Sequence, residues 1–190
     1  VSTARDPAAA AATVARALTE SAIDYAIGGA LALAAHGMPR ATVDADLGVF
    51  VDVAGIDALF DALERAGCLF DRERARREVD HSLLFVVRCA GVLIDLFVND
   101  PQHPARARRV LLAGPEGQPL WFFSAEDWAA HKLALHRAQD VADLERLFAV
   151  RGRTLDLAYL RRWIETIAPD AHDPRRATLA DLERRFCGPA

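Results

Sequence analysis

Ile23, Tyr25 and Ile27 alternate with smaller or polar residues and run straight into Gly28 and Gly29, a pattern that leaves the backbone few choices. The alternation predicts a short strand over 22–27, and the glycine pair ends it. Ala30 to His36 then predicts about two helical turns, closed by Gly37 and Pro39. From Thr42 the period is two again, with Val43, Ala45 and Leu47 expected on the buried side and Thr42, Asp44 and Asp46 on the other. Val49-Phe50-Val51 carries this second strand into the core. The outcome is strand, turn, short helix and a strand bearing two alternate carboxylates.

Around that unit the chain is readable in pieces. Pro7 to Glu20 is alanine-rich with an apolar stripe through Val14, Ala17 and Leu18, and predicts a helix. Asp52 to Ala66 predicts an amphipathic helix on Ile56, Leu59, Phe60 and Leu63, stopped by Gly67. The segment 71–80 matches four arginines with four acids, which reads as a solvated face or mobile loop rather than a nucleic-acid patch. His81 to Arg88 and Val92 to Asn99 form a hairpin through Cys89-Ala90-Gly91, and Trp121-Phe122-Phe123 is a further short strand. Beyond it everything is helical. Ser124 and Asp127 make a capping pattern for a helix that puts Trp128 and Leu135 on one stripe, with Lys132 directed toward the protein. Helices over 140–150, 155–167 and 175–186 complete a C-terminal bundle, and the spacing does not decide whether the first of them is continuous with the Lys132 helix.

At 190 residues the chain can bury roughly 70% of the surface its unfolded form exposes, so no disulfide or metal staple is required. Its net charge of −4 is uneven, with −6 in residues 1–100 and +2 in residues 101–190. Cys68, Cys89 and Cys187 are far apart, odd in number and without C-x-x-C spacing, which argues against a disulfide framework or structural zinc. A soluble protein of a reducing, cytoplasmic compartment is expected, since no apolar run is long enough to span a membrane and Val1 to Asp6 lacks a signal pattern.

Asp44 and Asp46 leave the same face of a strand roughly 6.5–7 Å apart at the backbone, so their carboxylates can converge on one or two divalent metal ions. Asp95, in the middle of an apolar strand, is costly to bury unless it is paired or bound to metal. An isolated Asp-x-Asp is equally the wet face of an edge strand. Here it follows Gly28-Gly29, where a Cβ-free backbone can approach a phosphate closely. Lys132 on an apolar stripe is either a snorkelling lysine or the partner of a buried acid. Asp140 and Asp143 also suit capping of a helix start. His131 and His136 are five apart rather than four, which argues against a helical zinc pair. Arg106, Arg108 and Arg109 could contact an RNA backbone or be solvated surface, and the tryptophans read as core.

Gly28-Gly29, Arg40, Thr42, Asp44, Asp46, Asp95, the Ser124-Ala125-Glu126-Asp127 run and the downstream Lys132, Arg137, Asp140 and Asp143 together resemble the nucleotidyltransferase superfamily built on the DNA-polymerase-β palm. The resemblance is greatest to its abortive-infection, AbiEii-type toxin-like branch, and covers roughly residues 22–165. It implies metal-dependent transfer of a nucleoside monophosphate from a triphosphate, ATP among them, to an acceptor, with RNA or tRNA as that acceptor by analogy. Gly28 and Gly29 would cradle the phosphates, and Asp44, Asp46 and Asp95 would bind Mg2+ or Mn2+. Asp95 would also activate the acceptor hydroxyl, while Lys132 and Arg40 would neutralise the triphosphate, with Thr42 and Asp140 at the same nucleotide site. A cognate antitoxin protein is a further implied partner. Two departures are Gly29, where the branch also uses serine, and Gln139-Asp140, where it commonly has Lys-Asp.

The expected fold is α+β: a small mixed sheet of four or five strands flanked by helices as a palm domain over 1–123, and a helical subdomain over 124–190, with the site in the cleft between them. The alternative reading is a non-catalytic nucleotide-binding module of the same fold that acts through a protein partner.

Overall fold

The computed structural model describes residues 5–188. Val1 to Ala4, the start of the segment read as lacking a signal pattern, lie outside the described residues. Two compact units divide the chain, Val1–Phe123 and Ser124–Ala190.

The first unit opens with helix α1 (Pro7–Glu20), whose start is capped by the Asp6 carboxylate accepting from the Ala8 and Ala9 amides. Then come β1 (Asp24–Ile27), α2 (Gly29–Ala35), β2 (Asp44–Phe50), α3 (Ile56–Arg65), α4 (Arg72–Ser82), β3 (Leu84–Cys89), β4 (Val92–Asn99), α5 (Pro104–Arg108), β5 (Val110–Ala113) and β6 (Pro119–Phe122). The six strands form one mixed sheet in the order β3-β4-β2-β1-β6-β5. Its centre is the parallel β2–β4 pair, flanked by antiparallel β1–β2 and β3–β4 pairs. A parallel contact of β1 with β6 and the antiparallel β5–β6 pair extend the sheet.

Alternation decides which face is covered. Ala45, Leu47 and Val49 on β2, with Ile94, Leu96 and Val98 on β4, are buried together with the apolar stripes of α1 and α3. The opposite face carries Asp44, Asp46 and Asp95. Val43 precedes the strand and is 84% exposed, so the expectation that it points inward fails because the pairing begins only at Asp44.

The charge-dense segment 71–80 is helix rather than loop. Only Ala75 and Val79 of α4 are buried, so its apolar signal is slight. Its arginines are drawn onto α3: Arg72 meets Asp61 at 2.8 Å and Glu64 at 3.3 Å, and Arg76 meets Asp57. The Arg72 and Arg76 guanidinium groups also lie over the Phe60 ring, at 5.5 and 5.4 Å. The β5–β6 pair brings the strand number to six, above the four or five expected.

The second unit holds α6 (Ala125–Leu135), α7 (Ala138–Arg151), α8 (Leu157–Ile167) and α9 (Pro174–Phe186). Ser124 caps α6 through its hydroxyl, which accepts from the Asp127 amide. His136 takes a left-handed φ of 51° and separates α6 from α7, while its ring meets the Thr178 hydroxyl at 2.8 Å. Trp128 is buried as expected, but Leu135 is 53% exposed because α6 ends there. No helix of the described residues is long and apolar enough to cross a membrane.

Candidate functional site

Strand register gathers the three carboxylates of the first unit. In the parallel β2–β4 pair Asp46 stands opposite Asp95, and Asp44 stands opposite Leu93, so all three carboxylates leave one face. The antiparallel β3–β4 pair then sets Val86 directly beyond Asp95. On the other side of Asp46, β1 ends in the glycine turn, where the Gly28 amide donates to the Asp46 carbonyl at 2.8 Å.

Gly29 is required at its position. Its φ is +53°, and a Cβ built there would fall 1.8 Å from Asp46 Oδ2, so the carboxylate occupies the space a side chain would take. Gly29→Ala is therefore expected to cost about 1–3 kcal/mol of stability in backbone strain and to push Asp46 out of place. Denaturant titration checks the first effect. An unchanged titration midpoint would show that this contact is not held in solution. Gly48 is equally tight: a Cβ would lie 2.5 Å from Phe123 Cζ, so the Phe123 ring lies against the strand beside the carboxylates and packs edge-on to Phe50 at 6.3 Å.

The electrostatics follow from this crowding. Burial, with the negative charge of Asp44 added to it, raises the Asp95 carboxyl above its ordinary range. The Asp44 carboxylate accepts a 2.5 Å hydrogen bond from the Thr42 hydroxyl, and Asp46 is turned against Gly29. Among the described residues no three His, Cys, Asp or Glu side chains are gathered as a ready metal-ligand set. The backbone thus brings Asp44, Asp46 and Asp95 to one face, with Asp44 held by Thr42 and Asp46 set against Gly29. Arg40 lies in the loop before β2, half-buried, with one guanidinium N–H donating to the Ala41 carbonyl at 3.3 Å.

Lys132 and Asp140 belong to the second unit, where they pair with each other. Lys132 Nζ is 2.8 Å from Asp140 Oδ1 and 3.4 Å from Asp143 Oδ2, and it sits 5.4 Å from the centre of the Trp128 ring. The Lys132 side chain is 9% exposed and both aspartates are fully buried, so this lysine is the partner of buried acids, not a snorkelling one. Asp140 also accepts from the Arg137 amide and guanidinium, which caps α7. Asp143 accepts from Gln139 at 3.0 Å, and the Tyr159 and Ser124 hydroxyls both donate to Asp127.

Burial alone would raise the Asp140 carboxyl, but the hydrogen bonds from Arg137 and Lys132 outweigh it and hold it at about 2. Folding therefore depresses this pKa below the ordinary aspartate value of 3.8. The stabilisation is complete above that value and is lost as pH falls toward 2. Trp128 fluorescence in an acid titration is expected to report loss of the second unit over that window. An Asp140→Asn protein should lack this component, and an identical acid profile would contradict the assignment.

Arg106 and Arg109 are held by an acid of β1. Both pair with Asp24, at 2.6 and 2.9 Å, and Arg109 stacks between Phe50 and Trp121. Asp24 is lowered although burial raises it, because the hydrogen bonds from these two arginines prevail. Val86 and Phe123 are the site neighbours that sequence reading misses. Register alone makes Val86 a neighbour of Asp95, and the only sequence sign of Phe123 packing was a glycine at position 48.

No family model and no curated protein matches the chain. Solved structures do. ANT(2'')-Ia in complex with adenylyl-2''-tobramycin is 15% identical, with a TM-score of 0.52 over 95% of this chain and 98% of that one. An antigenic nucleotidyltransferase-like protein from Paracoccidioides brasiliensis is 21% identical, with a TM-score of 0.52 over 94% of each chain. JHP933 from Helicobacter pylori is 13% identical, with a TM-score of 0.55 over 95% of this chain and 90% of that one. The six-stranded mixed sheet with its flanking helices is a nucleotidyltransferase-like fold.

Proposed function

We propose that the chain is a metal-dependent nucleotidyltransferase that moves a nucleoside monophosphate from a triphosphate to a hydroxyl acceptor. One observation carries the reading: Asp46 and Asp95 are register partners, with Asp44 on the same face and the Gly28-Gly29 turn against Asp46. The donor set is all carboxylate oxygen, which suits Mg2+ or Mn2+. Burial and, after it, the nearby charge of Asp44 raise the proton affinity of Asp95, and a cation would offset the second of these. Asp44, Asp46 and Asp95 would hold the metal, which when bound supplies Lewis-acid stabilisation of the phosphates.

In this reading Gly28, Gly29, Arg40 and Thr42 orient the triphosphate, and Lys132 with Asp140 supports the second unit from within. The acceptor oxygen bonds to the α-phosphorus, the bond from that phosphorus to the bridging oxygen breaks, and pyrophosphate leaves with the electron pair. Asp95, whose affinity for a proton is already raised, takes the hydroxyl proton. Positioning and charge stabilisation supply most of the rate, as phosphoryl chemistry requires.

RNA, tRNA in particular, is the acceptor that the motif resemblance supports, and the toxin-like branch with its antitoxin partner rests on the same motifs. The tobramycin adduct in the ANT(2'')-Ia complex adds a small hydroxylated compound as an acceptor to test. Each α-labelled triphosphate should be incubated with Mg2+ and, separately, total RNA, lysate protein and tobramycin. The expected result is label on one of them, lost in Asp44→Ala. Equal labelling by wild type, Asp44→Ala and Asp46→Ala would sink the metal assignment. The carboxylates are not gathered as a ready ligand set, which favours a second reading, a nucleotide-binding module acting through a protein partner. That module would gain thermal stability with ATP and Mg2+ but label nothing.

A further inference from the structure

Cys68 and Cys89 are distant in sequence, yet the fold sets them face to face. Leu69 and Arg88 form an isolated antiparallel bridge in which each amide donates to the other's carbonyl, at 2.8 and 3.0 Å. A bridge with both bonds made is flanked by pairs with none, and Cys68 opposite Cys89 is such a flanking pair. Their α-carbons belong about 4.5 Å apart, with side chains on one side. That separation lies within the span of about 4.4–6.8 Å that a disulfide bridges without moving the backbone. The side chains agree with the backbone, for both thiols are buried on the same side of the bridge. Both are buried, at 5% and 2% exposure, and the Cys89 thiol also approaches the Ala66 carbonyl at 3.8 Å.

We propose that Cys68 and Cys89 form a dithiol–disulfide couple, an oxidative modification site on the sheet face opposite the three carboxylates. Cys89 alternates with Val86 along β3, and Val86 shares the face of Asp95, which fixes this placement. A small-molecule disulfide is the oxidant. One of its sulfurs is attacked by a protein thiolate, and the resulting mixed disulfide is attacked by the second. One protein S–S bond forms, the reagent S–S bond is broken, and the reagent leaves as two thiols carrying the two electrons and two protons. Burial and the neighbouring Cys89 push the Cys68 thiol above its ordinary range, so the first attack is slow in the closed state. Entry is local, since Gly67 and Leu69 on either side of Cys68 are exposed and Gly67 has a φ of +73°. A short opening of the α3–α4 connection uncovers the thiol. Once formed, the bond ties that connection to β3, the strand that lies beyond Asp95.

The test treats the whole folded protein with oxidised glutathione, blocks remaining thiols after denaturation and maps peptides by mass spectrometry. Cys187, part-exposed in the second unit, shows whether the reagent has acted. The expected product is one peptide pair joined through Cys68 and Cys89. The corresponding unfolding transition should rise by about 5–10 °C, reversed by dithiothreitol, because the bond closes a loop of some twenty residues. A Cys89→Ala protein should show neither change. The proposal is overturned if Cys68 and Cys89 both remain alkylatable after Cys187 has reacted. It also fails if they join only in denaturant, or if the oxidised protein melts no higher than the reduced one.

Discussion

Asp46→Ala protein is expected to transfer nucleotide about a thousandfold more slowly than wild type while remaining folded. On the proposed function Asp46 holds the metal, and removing it forfeits several kcal/mol of transition-state charge stabilisation, at about 1.36 kcal/mol for each tenfold in rate. The backbone should not suffer, since Asp46 is only half-buried and stands opposite a like charge on Asp95. Asp46→Asn keeps the shape against Gly29 without the charge, and it should be nearly as slow. Pyrophosphate release in a single turnover measures the chemistry, and far-ultraviolet circular dichroism the fold. A loss below tenfold with intact structure would remove Asp46 from the metal site.

The second large effect is on stability. Lys132→Met removes the cation between two fully buried carboxylates, and breaking a buried pair on one side costs about 3–5 kcal/mol because the remaining charge has no solvent to turn to. Arg137 still reaches Asp140, so Asp143 bears most of the consequence. A second substitution, Asp143→Leu, is expected to restore much of the loss, since an apolar replacement of both members is close to neutral. Denaturant unfolding in a Trp121→Phe background, where both remaining tryptophans lie in the second unit, reads that unit directly by fluorescence. A cost below about 1 kcal/mol would mean that water reaches these groups.

Much of this molecule is legible in its sequence, and the exceptions share physical causes. Gly28-Gly29 and Asp44-x-Asp46 could be read because a turn and a period of two are local signals. Asp95 stood out as a charge in an apolar strand. By contrast α4 hid its helix because it buries only Ala75 and Val79 and is fixed by ion pairs to α3. Lys132 read equally as a snorkelling lysine or the partner of a buried acid, since its partners Asp140 and Asp143 lie past the break at His136. Arg106 and Arg109 looked like solvated surface because Asp24 is more than eighty residues away in the chain. The Cys68–Cys89 approach depends on one isolated bridge, which no local pattern encodes.

The β2–β4 pairing carries a consequence for how the protein comes into being. Asp46 and Asp95 become adjacent only after the intervening α3, α4 and β3 have let the chain fold back to set β4 beside β2, so this central contact is non-local. Loop-closure entropy makes such pairings slow and late. A newly synthesised chain therefore acquires its helices and the β3–β4 hairpin well before its three carboxylates meet. Any activity of the proposed site should therefore lag behind helix formation during refolding, because it waits on a non-local pairing.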